Sequence, residues 1–348
     1  MSKLLSSKYF RVIFGLLLSA ITLYLALRGV SLWEVSRSVG AASTGWVLLA
    51  IASVLANTFI KGVRWYRLTG DIGQRAGFAK VLAALLAGQL LNLIYPARAG
   101  DVSRVLILGR NGNDKAFVLG SVLLEKLADL CAYILLAVLL LFQLPIPGWI
   151  DTSIYISALL LVAGIGWAAW LVNNEERSER IGRWITTRRI SWLPERTWAH
   201  LIELVQATLS AIGQVRQRKQ AAELLFWTVL VWLTALLNNI LILLALGMNM
   251  DRGHSVVVMA LLVLVSLIAG IVLPSIPGRI GIIEYICILA LTVFGIPQAP
   301  ALTYGILLHA VVFLPGLVLG VAALLWLSWK PSQQTLIPDK HSEKSPNY

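Results

Sequence analysis

Long apolar runs dominate this chain. They fall at about 9–27, 44–60, 78–95, 117–142, 152–172, 221–246, 255–273, 282–294 and 302–329. A helix of roughly 20 apolar residues crosses the hydrocarbon of a bilayer. There, every backbone N–H and C=O must be paired inside the protein. Runs of this length, repeated this often, predict an all-α polytopic membrane protein with about 6–8 spanning helices. Composition agrees, with 58% of residues hydrophobic and 13% charged. Soluble domains are about half apolar and a quarter charged.

The net charge of +12 raises nucleic acid as a partner. Its distribution argues against that, because the basic residues cluster between apolar runs, as cytoplasmic loops of membrane proteins do. Anionic lipid headgroups are the counter-charge expected instead. Cys131 and Cys287 both lie in apolar segments, outside any zinc or redox spacing, and read as core residues. The basic, apolar start "MSKLLSSKYFRVIFGLLLSAITLYLALRG" reads as an uncleaved first span.

Orientation follows the arginines and lysines. Lys3, Lys8 and Arg11 put the N-terminus inside, and the second span ends at Lys61, Arg64, Arg67, Arg75 and Lys80, also inside. The polar segment 173–220 carries nine basic residues and is expected in the cytoplasm. That placement requires 78–115 to enter and return as a re-entrant hairpin. Within 173–220, Trp198, Leu201, Ile202, Val205, Leu209, Ile212 and Val215 recur at helical spacing, the pattern either of an amphipathic helix on the membrane surface or of an ordinary helix packed on the membrane domain. The integral membrane domain therefore covers 1–329. The polar tail 330–348 is expected to be disordered and cytoplasmic.

Two Pro/Gly-broken stretches echo one another. "PARAG" at Pro96–Gly100 recurs as "PGRIG" at Pro277–Gly281, an offset of 181 residues. A carboxylate follows each, Asp101 and Glu284, and "LLAG" (Leu85–Gly88) and "LIAG" (Leu267–Gly270) precede them. Entered from opposite sides, they would form two re-entrant hairpins related as an inverted repeat, a pattern that points to a transporter site.

Around these breaks lie Arg98, Asp101, Arg104, Glu125, Lys126, Asp129, Arg279 and Glu284. Left against lipid, eight charges would cost on the order of 20 kcal/mol on insertion scales. That exceeds a typical net stability of about 5–15 kcal/mol. They must pair or line a hydrated cavity. Two roles stay open: a buried ion-pair network that locks the hairpins, or a site for an anionic headgroup, for which the planar arginine fork is suited. His309, in the last apolar run, is either a packing residue or a cavity and proton-coupling group. Asn92, Asn238 and Asn239 are candidates for hydrogen bonds between helices.

At these residues the chain resembles the lysylphosphatidylglycerol synthase transmembrane, or flippase-like, family. Asn92, Pro96, Arg98, Gly100, Asp101 and Arg104 match its N-x-x-x-P-x-R-x-G-D/E-x-x-R pattern. Glu125, Lys126 and Asp129 match E-R-x-x-D with Lys for Arg. Pro277, Gly278, Arg279, Gly281 and Glu284 match P-G-G-x-G-x-x-E with Arg at the second glycine. Arg64 and Trp65 match an "RW" pair, and His309 stands where an arginine is frequent. The resemblance implies handling of polar lipids, such as aminoacylated phosphatidylglycerol or isoprenoid- or glycerol-based lipids. It implies a headgroup site at Asn92, Arg98, Asp101, Arg104, Glu125, Lys126, Asp129, Arg279, Glu284 and His309.

The resulting expectation is a lipid flippase or transporter of the cytoplasmic (inner) membrane, multi-pass, with both termini cytoplasmic. It is expected to be non-enzymatic, without cofactor or metal, and partnered by lipids with anionic or aminoacylated headgroups and by no nucleic acid. Two alternatives differ in kind. One is a polyprenyl-phosphate-dependent membrane glycosyltransferase, against which the early loop "RGVSLWEVSRSVGAAS" offers a single acidic residue, Glu34. The other is a non-transporting partner of a lipid-synthesis enzyme. No G-x-x-x-x-G-K-[ST] loop is present, so ATP is not expected to drive transport.

Overall fold

The computed structural model describes residues 8–95, 99–109, 112–143, 218–248, 255–270 and 277–329. Among these the chain is helical, without a strand: α1 (Lys8–Leu27), α2 (Leu32–Gly40), α3 (Thr44–Leu68), α4 (Gly70–Ala76), α5 (Phe78–Ile94), α6 (Ala99–Leu108), α7 (Gly112–Leu141), α8 (Arg218–Ala245), α9 (Val256–Gly270), a 3-10 turn at Pro277–Arg279, α10 (Ile282–Thr292) and α11 (Gln298–Trp329). The expected amphipathic segment lies outside the described residues up to position 217, as do the tail 330–348, Pro96, Arg98 and Pro274.

By length and composition, α3, α8 and α11 can each cross a bilayer alone. Two further crossings arise if α1 with α2, bent by 80°, and α4 with α5, bent by 103°, each form one broken span. α7 has the length, at 30 residues, but Glu125, Lys126 and Asp129 lie at its centre. α9 and α10, at 15 and 11 residues, are too short for a simple crossing.

α3 and α8 form the backbone of the bundle. They run antiparallel and are stitched by polar side chains along their seam. Asn238 Nδ2 donates to Ala50 O at 3.0 Å and to Ser53 Oγ at 3.2 Å. Asn57 Nδ2 donates to Val231 O at 2.6 Å and to Thr234 Oγ1 at 2.7 Å. Tyr304 Oη on α11 donates to Asn239 Oδ1 at 2.7 Å, tying a third helix to the seam. In a bilayer, apolar contact gives helices little reason to prefer each other over lipid. Interhelical hydrogen bonds, worth about 0.6–2 kcal/mol each, set the register. Asn238 and Asn239 thus take the role expected from sequence.

The first Pro/Gly-broken stretch is an antiparallel helix pair. Asn92 meets Gly100 and Asp101, and Gly88 meets Gly100 and Arg104, so positions rise on α5 as they fall on α6. The two backbones are in direct contact: a Cβ on Gly100 would fall on the carbonyl of Gly88. The "LLAG" glycine is therefore the crossing point of the hairpin. The second stretch repeats the plan, since a Cβ on Gly270 would strike the Ile286 side chain across the break. α11 connects the two halves. Gly305 packs on Glu284 and Cys287 of α10, and Gly320 packs on Leu86 and Leu90 of α5. Pro315 sits inside α11 without ending it. A buried core around Trp65, Val81, Leu85, Val105, Leu108 and Val118 joins α3, α5, α6 and α7. A larger one joins α8 to α11 with Ala26, Val35 and Ala50.

Replacing Gly100 by Ala should overpack the hairpin and destabilise the protein by about 1–3 kcal/mol. Gly45→Ala, where nothing lies within 4 Å, should be neutral or mildly stabilising. Thermal unfolding of the two variants in detergent, compared with the parent, checks this.

Candidate functional site

Glu125 and Asp129 are four residues apart, on one face of α7. Two like charges so placed in an apolar bundle must share a cation, and that cation is Arg64. Its fork grips Asp129 at two points, Nη1–Oδ1 at 2.6 Å and Nη2–Oδ2 at 3.0 Å. Nη2 also lies 3.4 Å from Glu125 Oε1, and Nη1 donates to Thr228 Oγ1 of α8 at 3.2 Å. The guanidinium is 1% exposed. This corrects the sequence expectation that Arg64 ends a span in a cytoplasmic loop: α3 continues to Leu68 and turns Arg64 and Trp65 into the bundle.

Arg104 of α6 holds the other side of Glu125, with Nη2 2.6 Å from Oε2. Its Cζ lies over the Trp65 ring, 3.9 Å from the centroid, and that indole donates to Ser121 Oγ at 3.1 Å. A cation on an indole face is a favourable electrostatic contact. Asp101 then receives three groups at Oδ1: Asn92 Nδ2 at 3.1 Å, Lys126 Nζ at 3.6 Å and Arg104 Nη1 at 3.8 Å. Asn92 closes the hairpin by accepting the Gly100 N–H at 2.8 Å.

A continuous chain of charge therefore runs Asp129, Arg64, Glu125, Arg104, Asp101, Lys126, on three helices, α3, α6 and α7. Its halves differ. Arg64, Glu125 and Arg104 are at most 5% exposed, whereas Asp101, Asp129 and Lys126 are 18%, 27% and 37% exposed. The buried half fixes geometry, and the partly exposed edge carries two carboxylates and an ammonium. Lys61, one turn before Arg64, is half-buried and feels the charges of Asp129 and Glu125. The Nε atoms of Arg64 and Arg104 have no hydrogen-bond partner.

The second hairpin is built differently. Glu284 Oε2 accepts the Gly281 N–H at 2.7 Å, which caps α10, and Oε1 lies 2.6 Å from His309 Nδ1 on α11. His309 meets Phe313 edge-on, with centroids 5.4 Å apart. Before the cap, Gly278 and Arg279 both adopt positive φ, 76° and 56°. Arg279 is an arginine in a conformation that favours glycine. At the echo offset Arg104 corresponds to Tyr285, so the repeat does not carry the charge network with it.

Of the residues expected from sequence, Asn92, Asp101, Arg104, Glu125, Lys126 and Asp129 meet in one network. Glu284 and His309 form a second cluster beside the turn of Arg279. α5 touches both, since it carries Asn92 and packs against the Pro277–Arg279 turn. Arg98 lies outside the described residues. A first-hairpin arginine, Arg104, pairs with Glu125 of α7, while Asp129 is held by Arg64 of α3. Sequence reasoning missed Arg64, Trp65 and Thr228 as site residues. The signal was there in the "RW" pair and in two acids on one helix face with too few cations assigned to them.

Arg64→Met should destabilise the protein by about 3–5 kcal/mol, because it leaves buried carboxylates unpaired. Arg64→Met combined with Asp129→Leu should recover much of that loss, since apolar groups replace both partners. Arg64→Lys should remain destabilised, keeping the charge and losing the fork. Unfolding midpoints in detergent decide this, and additive losses in the double variant would remove Arg64 from its central place.

Comparison with known proteins gives a consistent picture. The family described as the lysylphosphatidylglycerol synthase TM region matches residues 12–320. Glycosyltransferase AglD of Haloferax volcanii is 27% identical over 91% of this chain, and the chain spans 54% of that protein. UPF0104 membrane protein PH1989 of Pyrococcus horikoshii is 23% identical, with 91% of this chain and 96% of the relative covered. No solved structure matches. With the family match extending over both hairpins and α7, this chain belongs to the lysylphosphatidylglycerol synthase transmembrane-region family.

Proposed function

We propose that this membrane protein moves a polar, phospho- or isoprenoid-linked lipid across the cytoplasmic membrane, its headgroup passing over the charged edge of the first hairpin. The observation that carries the reading is the division of the network into a buried half and a partly exposed edge. A purely structural ion-pair cluster gains nothing from leaving Asp101, Lys126 and Asp129 accessible. Buried ion pairs are also weak stabilisers compared with apolar residues of like volume. A headgroup bearing both phosphate and cationic or hydroxyl groups can exchange with these pairs without leaving a charge unpaired. Both termini and the segment 173–220 would face the cytoplasm, following the basic residues.

A second reading draws on the 27% identity to a protein named as a glycosyltransferase. There the same edge would present a lipid-linked sugar to chemistry performed elsewhere. This chain spans about half of that relative, so the transfer reading stands on the shared half alone.

Purified protein in proteoliposomes with headgroup-labelled lipids separates these readings. Transport predicts loss of inner-leaflet label to an external quencher at a rate above protein-free vesicles, dependent on the headgroup. A transferase predicts a lipid product altered in mass. Lys126→Ala should cut transport several-fold while costing at most about 1 kcal/mol of stability, because its ion pair with Asp101 is long, at 3.6 Å, and partly exposed. Unchanged transport in a folded Lys126→Ala protein would remove the exposed edge from the proposal.

A further inference from the structure

We infer that Lys61 of α3, acting with Lys126 of α7, selects a headgroup of one net negative charge: a phosphodiester that bears glycerol or sugar hydroxyls and no amine. The inference rests on the transport reading for what the site serves. For the selection it rests on Lys61, which stands outside the chain of ion pairs.

The ion-pair network balances by itself, with Asp101, Glu125 and Asp129 against Arg64, Arg104 and Lys126. Lys61 adds a positive charge beside it. It lies within electrostatic reach of Asp129, Arg64, Glu125 and Lys126. Among the described residues it makes no ion pair and no hydrogen bond. Both acids it feels are already engaged. Arg64 holds Asp129 at two points, and Arg64 and Arg104 share Glu125. Arg64, three residues on, sets a like charge on the same face of α3, and the two repel. Lys61 is partly buried, where an uncompensated charge is costly. Side chains on a helix tilt toward its N-terminus. On α3 that tilt turns Lys61 away from the Leu68 end, the nearer end of the helix. Arg64 tilts the same way and meets the acids of α7 at that level, so Lys61 faces the edge of the network.

Headgroups of different charge meet this edge differently. A phosphodiester takes Lys61, which has no partner to give up, and Lys126, whose pair with Asp101 is long at 3.6 Å. Four cations then face three carboxylates and one phosphate, and the sum is zero. A zwitterionic headgroup leaves the excess charge in place, and its amine meets carboxylates that Arg64 and Lys126 already balance. An aminoacylated headgroup of net positive charge adds to the excess. Hydroxyls suit the rest of the edge. Asp101 and Asp129 are partly exposed, and an ionised carboxylate accepts hydrogen bonds from hydroxyls without a change in net charge. Glycerol and sugar headgroups both supply hydroxyls beside a phosphodiester. The chemistry selected is therefore common to a hydroxylated glycerophospholipid and an isoprenoid phosphosugar.

The first arm of the test needs no transport. The full chain in detergent is mixed with equal amounts of phosphatidylglycerol, phosphatidylethanolamine, an aminoacylated phosphatidylglycerol and a polyprenyl phosphohexose, and bound lipid is read by native mass spectrometry. At least one of the two net-anionic lipids should be retained several-fold over both amine-bearing ones, and the better retained of the two identifies the source. Equal retention of all four, or an excess of either amine-bearing lipid, overturns the inference. Displacement of bound lipid by equimolar glycerol 3-phosphate overturns a lipid as the ligand. Lys61→Met keeps an apolar stem without the charge. It should lose the preference with no fall in unfolding midpoint, while Lys61→Arg should keep the preference. The parent's preference in a folded Lys61→Met protein overturns the role of Lys61. A lowered midpoint overturns it too, because Lys61 is then a counter-charge of the fold. In the second arm, movement in proteoliposomes should follow the same ranking. Preference without movement keeps the headgroup site and overturns the transport reading. Movement without preference overturns the inference and leaves the transport reading standing.

Discussion

Two carboxylates one helical turn apart repel each other, and Glu125 is buried, so Glu125 and Asp129 make α7 untenable alone. Arg64 resolves this by bridging both. That single side chain draws α3 against α7, and through Thr228 brings α8 to the same point. Arg104 can then take the free oxygen of Glu125 while resting on Trp65. The first hairpin is held in place by α3 and α7 through charge, and against itself by the Gly88–Gly100 contact. Hydrophobic burial cannot assign such a register in lipid, where the surroundings are as apolar as the core. Charge and backbone contact set it here.

Much of the class of fold could be read from the runs of apolar residues, and the hairpin at 78–115 from the need to keep basic segments on one side. That the charges near the breaks must pair or line a cavity also followed from burial cost. Arg64 escaped because the positive-inside rule and a buried ion pair use the same residue type at the end of a span. Composition cannot distinguish them. Only the continuation of α3 to Leu68, with Trp65 fully buried, places that turn inside. The span number was hard to read for a related reason: α7 has spanning length, but its charges give it a mixed character by hydropathy.

The echo between the two Pro/Gly stretches is real in plan and divergent in chemistry. Both place a glycine of an "L-x-A-G" run at the crossing of a broken helix pair, at Gly88 and Gly270. At the tip, the Gly100 N–H is taken by Asn92 across the first hairpin, whereas the Gly281 N–H is taken by Glu284 within its own helix. The first solution ties two helices together. The second caps the tip from a carboxylate of its own helix, and a sequence offset alone cannot reveal which partner each amide chooses.

The six-membered network contains three carboxylates and three cations, so it is formally neutral as a unit. A transmembrane potential acts on net charge, at about 2.3 kcal/mol per elementary charge per 100 mV. If the hairpin and its partners shift together through the membrane field, they carry no net charge of their own. The electrical work of such a movement would then be set by the molecule riding on it. Voltage would favour or oppose each cargo according to its own charge, while the scaffold beneath it stayed electrically silent.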